Sequence, residues 1–347
     1  MLKGWKVVFS PKVGKTVSPK DICSLPLVST NGLQIAQKGF SQKLKVIFIF
    51  ITLSHNNMKK IIPLFLIICT FQAPAQSKSY DYAYSNKKGL CVYSLADKKE
   101  TLIVMGHKGT DPCISADGAK LAYTANSPKG DRTIVVIDLN TKKKITLNVG
   151  SNNCYGPVWS PDGKWIACNV FNAQTSKWAI AVIDPGNNSP PKIVTKKLED
   201  AFAPTWTADS KNIAVQNLYN VFVVDMIGNI SNQYKVSDLT NTDGPSSSDK
   251  FVLAADRKKI VFSSEVNEDS DSDGPPSAVF VYDIAGKATI RLTPKGYFAG
   301  GVWVKNNKVL FTASRLKSTV QNIYTVDLDG KNLKILFPNC SDISARY

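Results

Sequence analysis

The sequence predicts an all-β chain, a six-bladed β-propeller of four-stranded antiparallel blades. Three observations carry this expectation. A segment of roughly 45 residues recurs along the chain, as propeller blades do. Each copy sets a tight turn between two short β-branched runs, the mark of a hairpin. No helical period of about 10–15 residues occurs after residue 76.

The clearest copies of the repeat are residues 112–122, 157–167 and 204–214, whose turn aspartates Asp117, Asp162 and Asp209 lie 45 and then 47 positions apart. In the second copy Pro161 presets φ, Asp162 can bond its own backbone, and Gly163 accepts a positive φ. Two weaker copies follow. Residues 251–261 keep Asp256, and residues 301–310 replace Asp-Gly with Asn306-Asn307. A third apolar run ending in Asp follows each copy: 134–138, 180–184, 221–225, 279–283 and 323–327. Short fourth strands at 144–147, 192–194 and 290–293 close the units. Trp159, Trp206 and Trp303 recur in the copies and are expected to fill space between neighbouring blades.

These five units leave both ends over. Residues 82–84, 90–95 and 101–104 read as the last three strands of a blade that lacks its first, and 341–347 as a first strand that lacks the rest. Together they make a sixth blade, closing the ring by pairing the C-terminal strand with the N-terminal partial blade and removing exposed sheet edges. Residues 159–167, Trp-Ser-Pro-Asp-Gly-Lys-Trp-Ile-Ala, resemble the core of the TolB-like (WD40-like, PD40) propeller repeat. The resemblance spans residues 80–347 and implies a six-bladed propeller. TolB carries a separate α/β domain before its propeller, so the likeness is to the propeller half alone, and it extends the cell-envelope role of TolB to this chain only as an implication.

Ahead of the propeller, Met58-Lys59-Lys60 precedes the apolar run 61–71 and the small-residue motif Ala73-Pro74-Ala75. A basic start, a short apolar core and an A-x-A site read as a secretory signal. The alternative, a buried or membrane-spanning helix, needs about 20 apolar residues to span. A lipoprotein reading through Cys69 is disfavoured by the bulky Ile68. The expected organisation is therefore an upstream extension at 1–57, a signal peptide at 58–75 and a single propeller at 76–347, exported to the periplasm or cell surface as a monomer.

Charge and cysteines follow this division. The whole chain carries +16, of which residues 1–75, with ten Lys and one Asp, hold +9, leaving +7 for the propeller. That charge is scattered over turns with no basic helix face or nucleic-acid motif, which argues for solubility and against a nucleic-acid partner. Cys91, Cys113, Cys154, Cys168 and Cys340 are an odd number without framework spacing, and read as small buried hydrophobes.

No catalytic constellation emerges. The propeller has one histidine, His107, which excludes a multi-histidine metal site within it, and no G-x-S-x-G elbow occurs. Asp269, Asp271, Asp273 and Gly274 match the first half of a calcium loop, but its twelfth position is Phe280. The competing reading is a solvated acidic loop; no other cofactor is indicated. The channel mouth, where each first strand begins, is the default binding site. Repeat alignment places Asp111, Tyr155, Asp200, Phe202, Tyr297, Phe298 and Asp342 there, unless they serve only local turn bonding. The expected function is a noncatalytic exported propeller that binds a protein or peptide at the cell envelope. The alternatives are a carbohydrate-binding or carbohydrate-processing propeller, hinted at by the carboxylates Asp111 and Asp200, and a purely structural envelope scaffold.

Overall fold

The computed structural model describes residues 45–55, 58–68, 77–187, 190–268 and 276–347, which fall into two units, 1–75 and 76–347. In the first unit, Lys45–His55 and Met58–Ile68 form an antiparallel hairpin, with Lys45 opposite Ile68 and His55 opposite Met58. Both strands are rich in Ile, Leu and Phe, which suit a pleated pairing. The expected signal segment overlaps the second strand, and its Ala73–Ala75 motif lies outside the described residues.

The second unit consists of six four-stranded antiparallel sheets. Blade 1 comprises Gly109–Ile114, Lys120–Asn126, Arg132–Asp138 and Lys144–Thr146. Blade 2 comprises Cys154–Trp159, Ile166–Asn172, Lys177–Ile183 and Lys192–Ile193, and blade 3 Phe202–Trp206, Asn212–Gln216, Asn220–Asp225 and Ile230–Lys235. Blade 4 comprises Phe251–Leu253, Lys259–Glu265, Ser277–Asp283 and Ala288–Arg291, and blade 5 Tyr297–Lys305, Lys308–Arg315, Asn322–Asp327 and Lys334–Phe337. Blade 6 is composite: Cys340–Ala345 pairs with Tyr82–Asn86, followed by Gly89–Ser94 and Lys99–Met105. First strands of successive blades contact one another around the whole circuit, and Cys340–Ala345 touches both Tyr297–Lys305 and Gly109–Ile114. The ring is closed by the two chain ends, as the leftover strands predict. Arg346 clasps the closure: its Nη2 lies 2.9 Å from Asp81 Oδ1, and its N–H donates to the Asp81 carbonyl at 3.0 Å.

The turns behave as their residues dictate. Asp162 accepts from the Ser160 hydroxyl at 2.6 Å and the Lys164 N–H at 3.1 Å, and Asp117 and Asp209 repeat this arrangement. Gly118 and Gly163 occupy the left-handed region at φ +69° and +71°. A Cβ on Gly118 would meet the Tyr80 carbonyl oxygen at 2.4 Å, whereas at Gly163 the nearest atom is 3.9 Å away. Gly163→Ala should therefore cost about 1 kcal/mol from backbone strain alone. Gly118→Ala should cost clearly more, because it also displaces the N-terminal segment. Equal melting temperatures for the two variants would contradict this.

Five inner strands share a feature absent from the sequence reading. Their pairing slips by a bulge, and the first bulged residue is left-handed: Asp111 (φ 51°), Gly156 (65°), Ala203 (51°), Gly301 (61°) and Asp342 (54°). A bulge leaves backbone groups unpaired. At three of the five, the preceding blade takes up the N–H. Thr124 Oγ1 accepts from Gly156 at 3.0 Å, Asn169 Oδ1 from Ala203 at 2.9 Å, and Thr312 Oγ1 from Asp342 at 3.1 Å. In blade 3, Gln216 Nε2 donates onward to the Ser246 and Asp249 carbonyls at 2.8 and 3.3 Å. These polar residues follow three apolar ones in the second strands of blades 1, 2, 3 and 5 and tie the blades together.

The same bulges refine one expectation. Trp159 and Trp206 do sit between blades, the Trp206 indole N–H donating to the Val158 carbonyl at 3.0 Å. Counted from its bulge, Trp303 falls one position earlier, level with Val158 and Cys113, because blade 5 turns tightly through Asn306 and Asn307 (φ 48° and 59°) with Lys305 opposite Lys308. Trp303 is still buried in the core with Cys340 and Ile343 of blade 6, 5.4 Å from the Tyr347 ring, and from its shifted position it also lines the cavity.

The five cysteines are buried and free. Burial raises the Cys113 and Cys154 thiols to about 11 and Cys340 to about 12. The only helix among the described residues is Val236–Leu239, and no helix there is long and apolar enough to cross a membrane.

Candidate functional site at the channel mouth

A cavity of about 370 Å³ opens among the inner strands of blades 1, 2, 4, 5 and 6. Asp111 and Asp342, left-handed at equivalent bulges of blades 1 and 6, both line it. The Thr124 hydroxyl fixes Asp111 by donating to its Oδ2 at 2.7 Å. Asp342 is open to channel water yet ringed by inner strands. That burial, reinforced by the charge of Asp111, holds its carboxyl above the usual range, while the Ser85 and Ser341 hydroxyls and Lys250 pull it partway back.

Blade 4 adds groups that lie outside the repeat. Lys250 Nζ stands 5.8 Å from the Trp303 ring centre, and Glu265, at the end of the second strand, also lines the cavity. Asp249 is already satisfied, by Ser263 Oγ and by the Ser246 N–H at 2.7 Å and hydroxyl at 2.8 Å. Besides Asp249, three carboxylates, Asp111, Asp342 and Glu265, line the cavity with one ammonium, Lys250, which leaves the mouth with an excess of negative charge.

The other expected mouth residues gather elsewhere on this face. Tyr155 and Phe202 pack on Trp178, with ring centres 5.2 and 6.5 Å away, and the Arg132 guanidinium covers Tyr155 at 4.2 Å. Asp200 accepts from the Trp178 N–H at 2.8 Å. Pro157, on the same strand as Tyr155, lines the cavity, so this cluster adjoins it. Tyr297 meets Tyr324 edge-on at 6.0 Å and accepts from Arg315 at 3.3 Å, and Phe298 pairs with Ser314. The structure thus unites Asp111 with Asp342 and keeps Asp200 with Trp178. Lys250, Glu265 and Trp303 were not anticipated; the run Asp249-Lys250 before the short blade 4 strand was the available signal.

The calcium candidates Asp269, Asp271 and Asp273 lie outside the described residues; Glu268, just before them in sequence, forms an ion pair with Arg291. Among the described residues, no group of three or more His, Cys, Asp or Glu is placed to hold a metal.

The raised carboxyl of Asp342 has a stability consequence. A group whose folded pKa exceeds its unfolded one supports folding below the unfolded pKa and loses that support as pH rises through the folded value. At neutral pH, ionised Asp342 therefore opposes folding. Asp342→Asn, which tolerates the left-handed backbone, should raise the neutral-pH melting temperature and leave it unchanged near pH ~3. An equal gain at both pH values would refute this origin.

The blades and their closure define the class, a six-bladed β-propeller with four-stranded blades and a polar mouth. Within that class the fold is similar to TolB. A TolB-type protein of Agrobacterium tumefaciens superposes with a TM-score of 0.55 at 17% identity, covering 75% of this chain and 90% of that one. TolB of Acinetobacter baumannii gives 0.55 and 17%, covering 77% of this chain and 66% of that one. A chain of the nidogen/laminin complex gives 0.54 at 10%, covering 78% and 99%. At these identities the likeness is one of fold. No protein-family model and no curated protein sequence matches the chain.

Proposed function

We propose that the chain is a noncatalytic binding propeller, exported to the cell envelope, whose channel mouth receives a basic group of a protein or peptide partner. The observation that carries this reading is the excess of carboxylates at the cavity, with Asp111 and Asp342 both lining it and, among the described residues, neither in an ion pair. An amino terminus or a Lys or Arg side chain placed between them would gain charge-assisted hydrogen bonds in a partly enclosed site. The similarity of the fold to TolB accords with a protein-binding role. The signal-like segment at 58–75 supports export.

Pull-down from envelope extracts, alongside a glycan array, tests this. Wild type should capture a protein or peptide, and Asp111→Asn/Asp342→Asn should lose it. Glycan capture without peptide capture would favour the carbohydrate reading, and no capture in either would favour a scaffold.

A further inference from the structure

A second cavity, of about 320 Å³, lies over the same face between blades 5, 6 and 1, and Asp342 lines both. The two therefore adjoin at that carboxylate, and together they outline a path from the inner strands toward the turn at 87–88 and the loop at 106–108. The path has a charge direction. Its inner end holds Asp111, Asp342 and Glu265. Its outer cavity has no carboxylate in its wall other than Asp342 and carries two basic residues, Lys87 and His107. Both are exposed, and among the described residues neither side chain makes a hydrogen bond or ion pair.

The rest of that wall mixes uncharged polar residues, among them Ser85, Thr319 and Gln321, with the apolar Leu90 and Val320, and holds no Phe, Tyr or Trp. Such a wall suits a peptide backbone, with its alternating donors and acceptors. It lacks the stacking surfaces that typically grip sugars.

Resting on the reading of the mouth as a receptor for a basic group, we propose that this groove is a second subsite. It receives the continuation of the same peptide and seats an acidic side chain or terminal carboxylate against Lys87 and His107. The bound segment is then directional, its basic end in the channel and its acidic end outermost.

The test uses the propeller unit in its full chain and two synthetic peptide pools, each with a free amino-terminal Lys. One pool carries a fixed Glu four residues further on, and the other a Gln there. Fluorescence anisotropy should show wild type binding the Glu pool about fivefold more tightly, as one partly screened ion pair allows. Lys87→Ala/His107→Ala should bind both pools equally, at the Gln-pool affinity. Equal binding of both pools by wild type, or a preference that survives in the double variant, overturns the groove. If that equal binding is still abolished by Asp111→Asn/Asp342→Asn, the mouth reading stands alone; if neither pool binds wild type, both readings fall.

Discussion

A chain ending at Asn339 should fail to form a cooperatively folded propeller at room temperature. The deletion removes Cys340–Ala345, which supplies the whole inner strand of blade 6 and buries Cys340, Ile343, Ser344 and Ala345. It exposes Tyr82–Asn86 as a strand edge and takes away Ser344 Oγ, the acceptor of the Ile114 N–H at 3.1 Å. Asp81, 6% exposed, loses its Arg346 partner. Apolar burial and ladder hydrogen bonds of this size sum to about 5 kcal/mol or more. That is comparable to the total stability of a typical domain. Circular dichroism should show a broad, low-temperature transition, and a sharp wild-type melt would contradict the closure.

Asn169→Leu should be the most damaging single substitution among the interblade ties. The side chain is 2% exposed. Its Oδ1 accepts from Ala203 N–H at 2.9 Å, and its Nδ2 donates to the Tyr155 carbonyl at 3.2 Å. Leucine has similar bulk, so the effect isolates polarity. Two backbone groups at the contact between blades 2 and 3 lose their partners, at about 1–3 kcal/mol each. A denaturant midpoint should fall accordingly with little change in m. A loss under about 0.5 kcal/mol, the surface-substitution range, would show that the bulge groups find other partners.

The architecture was legible because its determinants are local. Asp162, Gly163 and their equivalents announce each turn, and the β-branched runs around them announce the strands. The ring closure was legible by subtraction, from strands left over at both ends. The bulges were hidden because Asp111, Ala203 and Asp342 adopt a positive φ without the glycine that would signal it. The polar ties were visible as a phase in the second strands (Leu-Ala-Tyr-Thr, Ile-Ala-Cys-Asn, Ile-Ala-Val-Gln), but their partners belong to the next blade. Trp303 misled because alignment through a shorter turn conceals a shift of one residue. The cavity draws on five blades, some of them distant in sequence, so repeat alignment reached Asp111 and Asp342 and not Lys250 or Glu265. Alignment also grouped Tyr155, Phe202 and Asp200 with them, where the fold collects these three around Trp178.

The most direct test of recognition at the mouth is the pH dependence of affinity for a captured basic peptide. A cation beside Asp342 favours its ionised form, so binding should strengthen as pH rises from about 4 to about 7, with proton release in calorimetry. Asp342→Asn should weaken binding and flatten that dependence. Affinity that is independent of pH in wild type, or unchanged by Asp342→Asn, would contradict the account.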